Sequence, residues 1–231
     1  MSTTKMGALV PQILGILRKD LALDWYGRGR VLAVFAFAAT SLLLFSFAVG
    51  PNTQKLAAHA GGYLWLSLLF ASVLALSGSL REETEEEALE SLMLLPVDPR
   101  ALFFGKALAN SVMLWGLAAI LVPLSFALYH THVTGSWIHL ILALLLGCGG
   151  LAAPGTLYAT MTARARGRDV LLPLLLFPLV VPVLVAAVNV TQLCFAGDPM
   201  QQTNSWLSLL AVFNLVYWGI CPLLYGRVIE A

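Results

Sequence analysis

Six long stretches of this sequence contain almost no charged side chain, and this feature constrains the fold more than any other. The stretches are 31–50, 61–80, 102–128, 137–161, 170–195 and 206–226, and Lys106 is the one charged residue within them. A helix needs about 20 apolar residues to cross a bilayer, and helices satisfy their own backbone hydrogen bonds there. The sequence therefore predicts an all-α integral membrane protein with six transmembrane helices in one domain, residues 1–231.

The composition agrees with this class. Charged residues make up 11% of the chain, against about 25% in a typical soluble domain. The three cysteines, Cys148, Cys194 and Cys221, are scattered through apolar segments and form no CxxC motif. They are interpreted as small apolar residues in packed helices rather than as disulfide or metal ligands.

The first thirty residues are predicted to lie in the cytoplasmic interface. Apolar residues recur at three- and four-residue spacing over 6–25, and Arg18 and Lys19 fall on the opposite face. This spacing predicts an interfacial amphipathic helix, with Pro11 in its first turn and Gly27 and Gly29 at its end. The alternative is a surface helix that packs on a partner.

Lysine and arginine residues predict the orientation. With six spans, twelve of the thirteen basic residues lie on one side of the membrane, and Lys55 lies on the other. Cytoplasmic loops carry the excess of Lys and Arg, so both termini are predicted to be cytoplasmic. An odd number of spans would scramble this distribution.

The loop 81–101, between the second and third spans, is predicted to be a cytoplasmic coupling helix. From Leu80 to Lys106 there are seven acidic and three basic residues, so the segment carries −4 and the rest of the chain +5. If the loop forms a helix that ends at Pro96 and Pro99, the start of this helix is acidic and its apolar face lies near its C-terminal end. These properties favour docking to a cytoplasmic partner, and the alternative is a solvated helix against the protein's own membrane face. The predicted docking residues are Glu82, Glu83, Glu86, Leu89, Glu90, Leu92, Met93, Leu95 and Pro96.

The fourth and fifth spans contain the predicted packing and conformational residues. Gly150 and Gly155 belong to a small-residue surface that suits close helix contact, and Pro154 should bend the same helix. The fifth span contains Pro173, Pro178 and Pro182, which remove three backbone donors and predict a bent helix placed against other helices. A static kinked helix and a moving one are both compatible with this pattern.

The sequence lacks the signals of several functional classes. All four histidines fall on the outer side, and His130 and His132, at i, i+2 in a loop, are interpreted as ordinary exposed loop residues rather than haem or metal ligands. Four tryptophans mostly lie near the predicted interfaces, where an aromatic belt explains them. No phosphate-binding loop, catalytic constellation or charge at the middle of a span is found, which argues against an ATPase, a membrane enzyme and a proton-coupled transporter. The residues concerned are His59, His130, His132, His139, Trp65, Trp137, Trp206 and Trp218.

Three segments resemble the haem exporter protein B family. They are LESLMLLPVDPRALFFGKALA (89–109), AAPGTLYATM (152–161) and LLPLLLFPLVVPVLVAA (171–187). The resemblance extends over nearly the whole chain in length, span count and order. It implies an ABC-2-like permease subunit of the ABC complex for cytochrome c maturation, in a bacterial inner membrane.

The resemblance also implies partners. An ATPase subunit, the A protein of the same system, should bind the Glu82–Pro96 loop, and further partners are the C protein, the small D subunit and the haem chaperone. ATP hydrolysis on the ATPase would release the haem-loaded chaperone at the periplasmic side. The chain itself is expected to be non-catalytic and to bind no cofactor directly, with ATP and haem on partner subunits. Two permease copies in the bilayer and no nucleic acid are expected, and the alternatives are a passive scaffold and a permease for another substrate.

Overall fold

The computed structural model describes residues 3–85, 98–163 and 168–230, and it leaves the side chains at 3–8, 28, 79–85, 168–169 and 229–230 undescribed. In these ranges the chain forms helices joined by short connections, and no strand occurs. The helices are α1 (Thr3–Tyr26), α2 (Arg28–Val49), α3 (Thr53–Glu85), α4 (Pro99–Tyr129), α5 (Trp137–Thr162), α6 (Arg168–Ala196) and α7 (Thr203–Glu230).

Six of these helices, α2 to α7, are long and apolar enough to cross a membrane. The predicted all-α membrane class with six spans is therefore confirmed, and α1 precedes the spans as a separate helix. The largest difference from the predicted bounds is in α3, which begins at Thr53 and runs without interruption to Glu85. Its 33 residues rise about 50 Å, more than the roughly 30 Å of hydrocarbon.

The helices pack around α5. This helix contacts α3, α4, α6 and α7, whereas α2 lies at the edge against α1, α3 and α4. The outward faces of the spans carry large exposed apolar side chains, such as Phe47, Leu174 and Leu215. Such faces suit lipid rather than water.

The helix order gives the molecule two ends. The loop end contains α1, the end of α3 and the start of α4, and the opposite end contains the connections 50–52, 130–136 and 197–202. At the opposite end, Gly50 and Gly197 adopt positive φ angles of 74° and 92°, and His130 ends α4 in the left-handed region at 50°. These left-handed residues allow the chain to reverse direction within a few residues.

Two predictions about helix ends are wrong. Pro11 lies in the interior of α1, not in its first turn, because the helix begins at Thr3. Gly27 separates α1 from α2 as predicted, but Gly29 lies in the first turn of α2. Pro99 is the first residue of α4, because Asp98 accepts a hydrogen bond from the backbone N–H of Arg100 and caps α4. The loop helix that Pro96 and Pro99 are predicted to end lies outside the described residues.

One tryptophan prediction is also wrong. Trp65 does not lie in an interfacial belt, because its side chain is fully buried and its Nε1 donates to Thr191 Oγ1 at 2.9 Å. The three cysteines are free and buried, in agreement with their interpretation as packed apolar residues.

Candidate coupling site and helix interface

The predicted docking residues lie at the boundary of what the structure describes. Glu82 and Glu83 belong to the last turns of α3, which therefore extends into the predicted coupling loop. The other predicted docking residues lie outside the described residues: Glu86, Leu89, Glu90, Leu92, Met93, Leu95 and Pro96. The geometry of the site is therefore defined by its two flanks, the end of α3 and the start of α4.

Helix α1 packs against the start of α4. A methyl group on Gly105 would lie 2.6 Å from Cγ2 of Ile16 and 3.3 Å from the carbonyl oxygen of Ile13, so only glycine permits this approach. The side chain of Gln12 also accepts a hydrogen bond from the backbone N–H of Asp98, at 3.4 Å. Helix α1 is thus fixed to the residues that directly follow the predicted docking loop.

A buried ion pair joins the same two helices. Lys106 Nζ lies 3.9 Å from Asp20 Oδ2, and the two side chains are 6% and 10% exposed. A charged group withdrawn from water is costly unless an opposite charge compensates it, so this pair favours one position of α1 on α4. The predicted interfacial helix is therefore part of the packed bundle on one side, while Val10, Leu14 and Trp25 remain exposed.

A second ion pair connects α1 with α2. Asp24 pairs with Arg30, whose side chain is mostly buried. The Arg30 side chain also lies over α3, because a methyl group on Gly78 would be 2.9 Å from its Cδ. Helices α1, α2 and α3 therefore meet close to the end of α3.

The small residues of α5 form close contacts with three helices. A methyl group on Gly147 would overlap the ring of Trp65, and one on Gly155 would lie 2.5 Å from Cδ1 of Leu76, both on α3. Gly150 faces Val183 of α6, whose methyl groups would be 3.1 Å away. The structure thus places the predicted residues Gly150 and Gly155 in two different helix contacts.

The four predicted prolines have different surroundings. Pro154 is buried within α5, where it lies between the contacts of Gly150 and Gly155. In α6, Pro173 is half-buried, whereas Pro178 and Pro182 are exposed. The predicted contact of α6 with other helices exists, but it uses the face opposite to Pro178 and Pro182.

The contacts of two polar side chains of α7 were not predicted from the sequence, which indicated an aromatic belt for Trp218. Asn214 Nδ2 donates to the carbonyl oxygen of Leu146 at 2.8 Å, and Trp218 Nε1 donates to that of Gly149 at 3.2 Å. Both bonds tie α7 to the glycine-rich part of α5. An Asn in an otherwise apolar span is the signal that could have indicated this contact, because a polar group in hydrocarbon needs a partner.

At the opposite end, α3 is bonded to α6. In addition to the Trp65–Thr191 bond, Gln192 accepts from the backbone N–H of Gly61 at 3.2 Å and donates to the carbonyl oxygen of Ala57 at 3.0 Å. These bonds satisfy backbone groups across the interface and fix the two helices to each other. The coupling loop therefore extends from a helix that is held to α6 at its far end.

Similarity to a known protein family extends over nearly the whole chain. A sequence profile of the CcmB protein family matches residues 11–230. The chain belongs to the CcmB protein family. The resemblance inferred from the three sequence segments is thereby confirmed.

Relatives of the CcmB family resemble the chain over most of its length. The Heme exporter protein B of Pseudomonas aeruginosa is 33% identical over 179 residues, which cover 78% of this chain and 80% of the relative. The protein of the same name from Rhodobacter capsulatus is 34% identical over 74% of this chain and 78% of the relative. The one from Bradyrhizobium diazoefficiens is 28% identical over 90% of this chain and 92% of the relative.

The connection between α6 and α7 of this CcmB chain contains a capping carboxylate. Asp198 accepts hydrogen bonds from the hydroxyl and the backbone N–H of Thr203, at 2.6 and 2.8 Å, and from the N–H of Gln202 at 2.9 Å. The Thr203 hydroxyl is the main cause that lowers the pKa of this carboxyl below its ordinary value. Asp198 thus caps the N-terminus of α7, and this structural role accounts for the carboxylate without a catalytic function.

The histidines of the CcmB chain do not assemble into a metal site. Across 3–85, 98–163 and 168–230, no group of three or more His, Cys, Asp or Glu side chains converges on one point. His59 is instead part of an aromatic group on α3 at the opposite end, since its ring centroid lies 6.1 Å from that of Tyr63. His59 therefore belongs to α3, the helix of the second span.

Proposed function

We propose that this chain is the permease subunit of a haem export complex for cytochrome c maturation, and that it couples ATP hydrolysis on a separate ATPase subunit to haem delivery at the periplasmic side. Membership of the CcmB family and the names of its relatives support the haem-export part. The coupling includes release of the haem-loaded chaperone, with the C and D membrane subunits and a second permease copy as further partners. The chain is non-catalytic in this scheme.

The observation that carries the coupling proposal is the continuity of α3. This helix runs from the opposite end, where Trp65 and Gly61 bond to α6, to Glu85 at the start of the predicted docking loop. A helix transmits displacement along its length because its backbone hydrogen bonds resist bending. Movement of an ATPase bound to the loop would therefore reach α6 through α3.

The flanks of the loop support the same direction of coupling. Helix α1 is fixed to α4 by the Asp20–Lys106 pair and by the Gly105 contact, and it is connected to α2 through Asp24. A displacement at the loop end would thus involve α1, α3 and α4 together. This proposal places both termini and the loop in the cytoplasm of a bacterium, on the side where the basic residues are concentrated.

Docking is tested by placing charge in the apolar part of the loop. The double substitution Leu92→Asp and Met93→Asp should abolish co-purification of the ATPase subunit, because an apolar groove does not accept two carboxylates. Met200→Asp is the matched control, since Met200 is a 77% exposed methionine in the connection at the opposite end. Co-purification is measured from detergent-solubilised membranes, after insertion of each variant has been verified.

The outcomes separate the proposal from its main competitor. Unchanged recovery of the ATPase with the double variant would exclude the loop as the docking site. Loss of the ATPase with the double variant and retention with Met200→Asp would support docking at the loop. A passive scaffold could dock in the same way, but it would not change conformation when ATP binds.

A further inference from the structure

The hydrogen bond that His59 makes leaves its Nε2 available for a metal. Its Nδ1 lies 3.0 Å from the carbonyl oxygen of Lys55. A carbonyl oxygen only accepts, so Nδ1 carries the proton, and Nε2 of the neutral ring has a free lone pair. Histidines that bind metals typically donate their second ring N–H to a backbone carbonyl or a carboxylate in this way.

The side of α3 that carries His59 also presents an aromatic surface. Tyr63, four residues further along α3, stacks on Phe45 of α2 with centroids 5.0 Å apart and an angle of 15°. Tyr63 is also 5.6 Å from Tyr129 of α4, whose hydroxyl donates to the carbonyl oxygen of Leu42 at 2.8 Å. The three rings fix one another, and Tyr63 and Phe45 remain partly exposed. A flat apolar ligand next to His59 would therefore meet a rigid aromatic wall.

A positive charge lies on the same helix face. Lys55 is exposed and precedes His59 by four residues, a spacing that places two side chains on one side of a helix. It is also the one basic residue that the topology assigns to this side of the membrane. The group thus combines a nitrogen ligand, two partly exposed aromatic rings and one cation.

This combination fits a metalloporphyrin better than a free metal ion. A structural zinc site needs about four protein ligands, and no group of three converges anywhere in the described ranges of this chain. A porphyrin supplies four nitrogen ligands itself, so one histidine is sufficient on the protein side. The aromatic rings suit the macrocycle, and a lysine suits a carboxylate on its edge.

We propose that His59 is an axial ligand to the iron of haem that is transiently held at this end of α3. Nε2 of His59 donates its lone pair to the iron, Tyr63 and Phe45 pack against the porphyrin, and Lys55 pairs with a propionate. The haem is cargo and not a resident cofactor, so the site complements the expectation that partner subunits hold haem. This inference rests on the proposed function, from which it takes the identity of the cargo.

Haem titration of the intact chain in lipid nanodiscs tests this site. Ferric haem should give a shifted Soret band typical of histidine ligation, and His59→Gln should raise the Kd by roughly tenfold or more. Lys55→Gln should weaken binding less, because it removes a charge and not the iron ligand. His132→Gln is the matched control, since His132 is an exposed histidine at the same end of the molecule.

A second measurement distinguishes ligation from a structural effect. Added imidazole should restore the histidine-type spectrum in a His59→Gly variant, because it supplies the missing ligand without repairing the protein. Equal haem affinity and equal spectra for wild type and His59→Gln would overturn the inference, since haem would then only partition into lipid. No recovery with imidazole in a folded His59→Gly variant would overturn it as well.

The two proposals fail in different experiments. If the loop variants still bind the ATPase but haem ligation depends on His59, the coupling mechanism is wrong and the haem site remains. If the loop variants lose the ATPase but His59→Gln leaves haem binding unchanged, the site is wrong and the coupling mechanism remains.

Discussion

At the scale of single residues, the closest helix contacts of this bundle depend on glycines, which have no side chain. Gly147 leaves space for the ring of Trp65, and Gly105 leaves space for Ile16. Close approach matters in a membrane because apolar side chains gain little by leaving lipid, so helix association relies on dense packing and hydrogen bonds. Gly147 is especially informative because its neighbour Trp65 also bonds α3 to α6.

Gly147→Ala should therefore destabilise the bundle. Its new methyl group would overlap the Trp65 ring, and overpacking of a dense core costs about 1–3 kcal/mol. Thermal unfolding in detergent, followed by the reactivity of the buried cysteines, should show a lower Tm. Gly219→Ala is the control, because nothing lies within 4 Å of a methyl group there. Equal Tm values for the two variants would contradict the packing role of Gly147.

Residue types in the sequence predicted the small-residue surface of α5, but not its partners. In a soluble helix, the apolar face identifies the buried side, whereas both sides of a membrane helix are apolar. For this reason the sequence predicts Trp65 at an interface although it is fully buried. It predicts that α6 packs against other helices, as it does, but not that Pro178 and Pro182 lie on its exposed face. The bonds of Asn214 likewise depend on a helix that lies far away in sequence.

At the scale of helices, α1 differs most from the others. Its spacing predicted an amphipathic helix, and the structure adds that its polar face contains an ion pair with the third span. The sequence could not predict the pairing of Asp20 with Lys106, because 86 residues and two helices separate them. The partly buried pair shows why a lysine is tolerated close to the start of an apolar span.

Removal of one partner of this pair should release α1. Lys106→Met removes the positive charge that α4 presents to Asp20, while Lys19 of α1 remains 3.5 Å from Asp20 Oδ1, so the attraction between α1 and α4 should weaken. Limited proteolysis should then cleave α1 faster than in the wild type. The double variant Asp20→Asn with Lys106→Met should recover much of the resistance, because no charge remains buried. Equal cleavage rates in all three proteins would show that the ion pair does not hold α1.

At the scale of the whole molecule, the question is which helices move together. The bonds of Trp65 and Gln192 join α3 to α6, while α7 is bonded to α5 through Asn214 and Trp218. The bundle can therefore be divided into an α3–α6 pair and an α5–α7 pair. Helix α3 makes no direct contact with α7 in the described residues, so any movement between the two pairs would take place at the contacts of α5 with α3 and α6 and at the contact of α6 with α7.

Spin-label distances in the complex should reveal this division. Labels at Leu66 of α3 and Val185 of α6 should keep their separation when ATP binds to the partner ATPase. Labels at Leu66 and Leu215 of α7 should change theirs by about 2 Å or more, the range of helix shifts in coupled proteins. All three positions are exposed and the native cysteines are buried, so labels can be placed selectively. Constant distances for both pairs would favour a passive scaffold.

The length of α3 has a mechanical consequence. If the Trp65 contact acts as a fulcrum, the segment 65–85 is a lever arm of about 30 Å at 1.5 Å per residue. A rotation of only about 5° would then displace the end of such an arm by about 2.6 Å, without any change in the helix itself. A small tilt within the bundle and a larger displacement at the loop end would be the same movement, so this helix would convert a small movement at one end into a larger one at the other.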